Sequence, residues 1–124
     1  MTGKEFIKKE GMEMSNKIMK NIEAAKVQKL ADLVTWQEGQ VVSKTFVQNP
    51  HVSLTLFSFD AGEEISTHSS HGDALVHVLE GRAEINIGDQ KYSVKAGESI
   101  LMPAEVPHAV FAPERMKFML TVVF

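Results

Sequence analysis

The sequence predicts an all-β chain, an antiparallel sandwich or barrel preceded by a short helical segment, and three observations carry that reading. From Val41 onward, short β-rich runs are punctuated about every eight to twelve residues by glycine, proline or aspartate, the spacing of strands in sandwiches and barrels. None of these runs resembles a crossover helix, so neighbouring strands should be antiparallel. In "RAEINI" Ala83, Ile85 and Ile87 share one face while Arg82, Glu84 and Asn86 share the other. In "QKYSVK" Tyr92 and Val94 oppose Lys91, Ser93 and Lys95, which makes these two strands a hairpin with one wet face.

At 124 residues the chain has the length of one domain. Residues 1–39 read as an extension and lead-in, and residues 40–124 as the β domain. Within the extension, Met14, Ile18, Ile22 and Ala25 recur at helical spacing, with Ser15 or Asn16 placed to cap a helix running to about Ala25. Gly3 and Gly11, among lysines and glutamates, mark the first dozen residues as loosely held. "KLADLVTWQEGQ" is transitional. The β runs follow in order as "VVSKTFV", "HVSLTLFSF", "ALVHVLE", "RAEINI", "QKYSVK", "SILM", "HAVFA" and "MKFMLTVVF". Turn-forming segments such as "DAGEE", "EG", "KAGE" and "PAEVP" separate them. "HVSLTLFSF" and "FMLTVVF" are apolar at nearly every position, as strands enclosed between two layers would be. Phe57, Phe59, Met102, Phe118 and Met119 are expected in the core, with one or two of them walling the barrel mouth.

Composition narrows the partners. A net charge of −3 without a dense run of lysine or arginine offers no footprint for a nucleic-acid backbone. The chain has no cysteine, so any metal must be held by nitrogen and oxygen, and a cytoplasmic location is expected. The first twenty residues lack the unbroken apolar stretch of a signal peptide. "FMLTVVF" is about a third of the roughly 20 residues that span a bilayer, so no membrane partner is expected.

Three of the five histidines fall in "HSSHGDALVH". Neutral imidazole is a common ligand for transition metals, and residues two apart on a strand point the same way. If His68 points inward, Ser70 follows it and His71 is out of phase, reaching the same site only if the chain bends at Gly72. His108 opens the strand after Pro103 and Pro107, whose fixed φ makes a stiff loop edge on which to mount a ligand. His77 should face away from the barrel interior or lie in a subunit interface, and His51 reads as a solvated strand end. Asp73 and Glu105 sit beside the histidines as alternative ligand and second-layer partner.

The stretch from Gly62 to Ala112 resembles the paired motifs of the cupin superfamily. Gly62 is followed by five residues and His68, and Gly81 closes the first motif. Ser70 and Ala74 stand where that motif has its second histidine and its glutamate. Gly97, Pro103 and His108 match the second motif, whereas Glu105 and Ala112 replace its glycine and asparagine. The resemblance covers about residues 40–124 and implies an antiparallel double-sheet jelly-roll barrel and a homodimer. It also implies a divalent transition metal, zinc, nickel, manganese or iron, at His68 and His108, with His71 as a substitute ligand if the chain bends at Gly72; no organic cofactor is expected. Cupins include dioxygenases, isomerases, decarboxylases, epimerases, storage proteins and sensor domains, so the fold alone names no reaction. Three readings follow: a barrel binding a divalent metal in its mouth, a metal-free small-molecule binding or sensing domain, and a metal-free isomerase or epimerase using His68 as base.

Overall fold

A computed structural model describes residues 18–124. Nine strands occur among the described residues: β1 (Val41–Gln48), β2 (Val52–Phe59), β3 (Glu64–His68), β4 (Asp73–Glu80), β5 (Arg82–Ile87), β6 (Gln90–Lys95), β7 (Ser99–Met102), β8 (His108–Phe111) and β9 (Met116–Val123). Every pairing is antiparallel, and the ladders form a five-stranded sheet in the order β1-β2-β9-β4-β7 and a four-stranded sheet in the order β3-β8-β5-β6. No ladder joins the two sheets among the described residues, so the expected barrel is an open one, two stacked sheets rather than a closed cylinder.

The main core lies between the sheets. Alternation on β4 turns Ala74, Val76 and Val78 inward, where they meet Ala83 and Ile85 of β5 and Phe59 and Phe118 of β2 and β9. Phe57 and Phe118 are register partners and stack at 5.0 Å between ring centroids. A second cluster, Val34, Phe46, Leu56 and Met119, lies on the other face of the five-stranded sheet. It is covered by the chain before β1, with Ile22, Leu30 and Leu33 packed against it. Two covered faces explain why β2 and β9 are apolar on both phases of their alternation.

The strand absent from the sequence reading is β3. Its "EISTH" is exposed at all but Ile65, as a short edge strand can be, and it carries too little apolar signal to stand out from a turn.

The helix expected up to Ala25 is also corrected. Residues 1–17, with Met14 and the capping candidates Ser15 and Asn16, lie outside the described residues. From Ile18 to Lys29 the chain runs in bends and turns, and the only helical element among the described residues is one 3-10 turn at Leu30–Leu33. Asn21 and Ala25 have left-handed φ of 61° and 56°, which a helix does not permit. Local hydrogen bonds go elsewhere: the Lys20 N–H donates to the Phe46 carbonyl at 2.8 Å, and the Asn21 side-chain amide donates to the Thr45 carbonyl at 2.8 Å. Docking on the sheet outweighs helical propensity here.

The lead-in is fastened by polar bonds as well as apolar contact. The Trp36 indole N–H donates to the Met116 carbonyl at 3.1 Å, and the Ser58 hydroxyl donates to the Thr35 carbonyl at 3.0 Å. Lys117, 6% exposed, donates to the Ala31 carbonyl at 2.7 Å, and its ammonium lies 4.4 Å from the Trp36 ring centroid.

Gly81 has φ of +75°, and a Cβ there would run into the Arg115 carbonyl oxygen. Gly62 has φ of +89° but open space around it. Gly62→Ala is therefore expected to cost only the backbone strain, about 1 kcal/mol, and Gly81→Ala about 3 kcal/mol because β9 must also move. Urea unfolding of both variants measures the difference, and equal losses would remove the assigned role of Arg115.

Candidate functional site

His68 is the last residue of β3 and His108 the first of β8. Glu64 and Ile65 pair with Phe111 and Val110, and continuing that register would set Thr67 opposite His108. The register instead shifts between Ile65 and His68, so that His68 pairs with His108. One extra residue in β3 thus re-aims the strand end, a common use of a bulge beside a binding site. The two rings lie 4.5 Å apart between centroids, edge to face.

Each ring is fixed by its own strand end. His68 Nδ1–H donates to the Ser66 carbonyl at 2.9 Å, and His108 Nδ1–H donates to the Val106 carbonyl at 3.1 Å. A carbonyl oxygen only accepts, so Nδ1 carries the proton in both rings and Nε2 of each neutral ring holds a lone pair. Neither Nε2 has a protein partner among the described residues. His108 is only 3% exposed, yet no buried side-chain nitrogen or oxygen is left unpaired, so its Nε2 opens onto accessible space.

That space is a pocket of about 210 Å³ between the sheets. Ile65, Met102, Val110 and Phe118 form apolar walls, Ser70 and Ala74 lie beside the imidazoles, and Gln48 and Ser53 contribute from the β1–β2 hairpin. Among the described residues no aspartate, glutamate, lysine or arginine lines it. A groove of about 290 Å³ on the outer face of the four-stranded sheet, bordered by Glu64, Glu84, Asn86 and Lys91, contains no imidazole and does not reach the pair.

The structure brings His68 and His108 together and leaves His71 apart. The chain does bend at His71 and Gly72, as the sequence reading required. The bend, however, packs Gly72 against β9, where a Cβ would sit 2.6 Å from the Val123 carbonyl oxygen, and turns His71 outward. There His71 Nδ1–H donates to the Glu105 carboxylate at 2.8 Å, with 90% and 65% of the two side chains exposed. Asp73 accepts from the Ala104 N–H at 2.8 Å, and the Glu105 N–H donates to the Ser70 carbonyl at 2.7 Å. These bonds clasp the loop after β3 to the loop before β8. Glu105, at the position of the motif glycine, keeps a glycine-like φ of 66°. His77 lies on the face of β4 opposite Ala74 and Val76, hydrogen-bonded to Ser99 Oγ at 2.7 Å.

The donor set falls short of a resident metal centre. Ser70 Oγ already accepts from the Gly72 N–H at 3.1 Å, and Ala74 offers only a methyl group. Among the described residues no group of three or more histidines and carboxylates is arranged to hold a metal ion. Two imidazoles are fewer than the three or four protein ligands of established zinc sites. Gln48 and Ser53 were missed by sequence reasoning; they are register partners at the hairpin end of β1 and β2, and nothing in the sequence sets them apart from the other polar residues of those strands.

Burial holds the His108 imidazole below its usual value near 6.5, the Val106 carbonyl acting the other way and the neighbouring His68 adding to the depression. Folding thus favours neutral His108, a contribution present above pH 6.5 and lost as pH falls through the lowered value. NMR titration should find the His108 midpoint below 6.5 with Nε2 unprotonated at neutral pH. His71 is raised, by its hydrogen bond to Glu105 and then by that carboxylate's charge. Its pair contributes fully below pH 6.5 and is lost as pH rises through the raised value. Glu105→Gln should return the His71 midpoint toward 6.5 while leaving that of His108 in place, and a shared shift would mean that the clasp and the pocket are coupled.

Comparison with known proteins agrees with this geometry. Residues 55–124 match the family described as the cupin domain. A conserved protein of unknown function from Streptococcus pyogenes is 45% identical, with a TM-score of 0.85 over 86% of this chain and 94% of that one. A cupin superfamily protein from Desulfitobacterium hafniense is 32% identical, with a TM-score of 0.82 over 86% of this chain and 97% of that one. A cupin 2 conserved barrel domain protein from Leptotrichia buccalis is 42% identical, with a TM-score of 0.75 over 77% of this chain and 46% of that one. No curated protein matches. The paired motifs, the two stacked sheets and these likenesses place the chain in the cupin superfamily.

Proposed function

We propose that this cupin binds a small organic molecule in the pocket between its sheets and recognises it through the imidazoles of His68 and His108, without a resident metal. The observation that carries this reading is the pair of Nε2 atoms without a partner among the described residues, in a largely apolar cavity. Ligand sites have this composition: apolar walls with a few convergent polar groups that orient the guest. The incomplete donor set supports binding without metal over the divalent-metal centre that the family resemblance implies. The lack of an aspartate, glutamate, lysine or arginine among the described lining residues supports binding over an isomerase or epimerase, since a base at His68 would need a group to stabilise the charge formed on the substrate.

Chelator-treated protein is expected to take up no stoichiometric zinc, nickel, manganese or iron in calorimetric titrations. Small apolar fragments should shift the methyl resonances of Ala74, Met102 and Val110. Stoichiometric metal in the parent, absent from a His68→Ala, His108→Ala double variant, would overturn the reading in favour of the metal centre.

A further inference from the structure

We infer that the ligand is small, uncharged and hydroxyl-bearing, and that it donates its hydroxyl proton to Nε2 of His68 or His108. The inference rests on the metal-free binding reading above and adds the chemical class of the guest. Because both Nδ1 protons are committed to backbone carbonyls, the polar end of the pocket presents two acceptors. Ser70 Oγ, already accepting from the Gly72 N–H, keeps its own proton to donate to the same guest oxygen. A ligand hydroxyl is both donor and acceptor and satisfies this set with no change of protonation.

Charged guests meet the wrong surroundings. A carboxylate would face two lone pairs at the imidazoles, Gln48 and Ser53 bring only neutral donors, and no lysine or arginine among the described residues lines the pocket to offset its charge. An ammonium would find acceptors but no aspartate or glutamate side chain among the described residues, and would leave water for walls of Ile65, Met102, Val110 and Phe118. Desolvating an unpaired ion costs several kcal/mol, more than one hydrogen bond returns. The carboxylates of Asp73 and Glu105 are engaged by the Ala104 N–H and by His71. The volume of about 210 Å³ sets the size. At about 30 Å³ per water it displaces roughly seven waters, the room for a single ring with one or two substituents.

Chelator-treated full-length protein titrated with phenol, toluene, benzoate and benzylamine at pH 7.5, followed by NMR, tests the class. Phenol is expected to bind about tenfold tighter than toluene, the value of roughly one hydrogen bond, and tighter than benzoate or benzylamine. It should also shift the ¹⁵N resonance of an imidazole Nε2, which toluene should not. His68→Ala, at an exposed position, should bring phenol toward the toluene affinity while leaving toluene unchanged; His108→Gln serves as the second variant at the buried position. Toluene binding as well as phenol, benzoate or benzylamine binding as tightly as phenol, or phenol binding without an Nε2 shift would each overturn the inference while leaving the pocket intact. Failure of all four probes to perturb the Ala74 and Val110 methyls would instead overturn the binding reading beneath it.

Discussion

Burial of β9 on both faces is the constraint on which the rest of the structure depends. Its inward residues Met116, Phe118 and Val122 complete the core between the sheets, and its outward Met119 lies under the lead-in. A strand at the centre of a five-stranded sheet cannot leave either face wet at such low polar content. Gly72 and Gly81, at opposite ends of β4, are both pressed against β9, where a side chain would meet the Val123 or the Arg115 carbonyl. Close approach therefore explains these two glycines better than turn geometry alone, and it also decides where His71 goes.

The site follows from a smaller constraint laid on this frame. The bulge in β3 sets His68 beside His108, and the loop held against β9 carries His71 to the outside. Two of three neighbouring histidines are thereby separated by local backbone geometry rather than by chemistry. What remains inside is a pair of imidazoles with their Nδ1 atoms bonded to backbone, in a largely apolar pocket, and outside an ion pair at the rim whose strength depends on the protonation of His71.

Much of this was legible in the sequence where one physical cause dominated. The hairpin of β5 and β6 shows in its alternation because one face is wet, and the double-sided burial of β2 and β9 shows in apolar residues on both phases of each strand. His77 was placed on the correct face by phase alone. The misses have a common origin in contacts distant along the chain. The segment from Ile18 to Lys29 has helical periodicity, but Ile22 packs on the outer face of the sheet while Ile18, Met19 and Val27 stay exposed, and two of its donors are taken by β1. The strand β3 pairs only with β8 and buries little, so nothing in "EISTH" announces it. A bulge leaves no local mark at all, and counting by twos from His68 could not reveal that the strand ahead of it had already slipped by one residue.

The seam between the lead-in and β9 has an optical consequence. Trp36 is the only tryptophan of the chain, and its indole is bonded to Met116 and flanked by the Lys117 ammonium. Its emission therefore reports the polarity and charge of one place, the outer side of the five-stranded sheet. A guest entering between the sheets reaches Phe118 from the opposite side and leaves that half-buried, charged environment as before. Intrinsic fluorescence is thus a selective gauge of whether the amino-terminal strap is seated, silent to occupancy and sensitive to undocking.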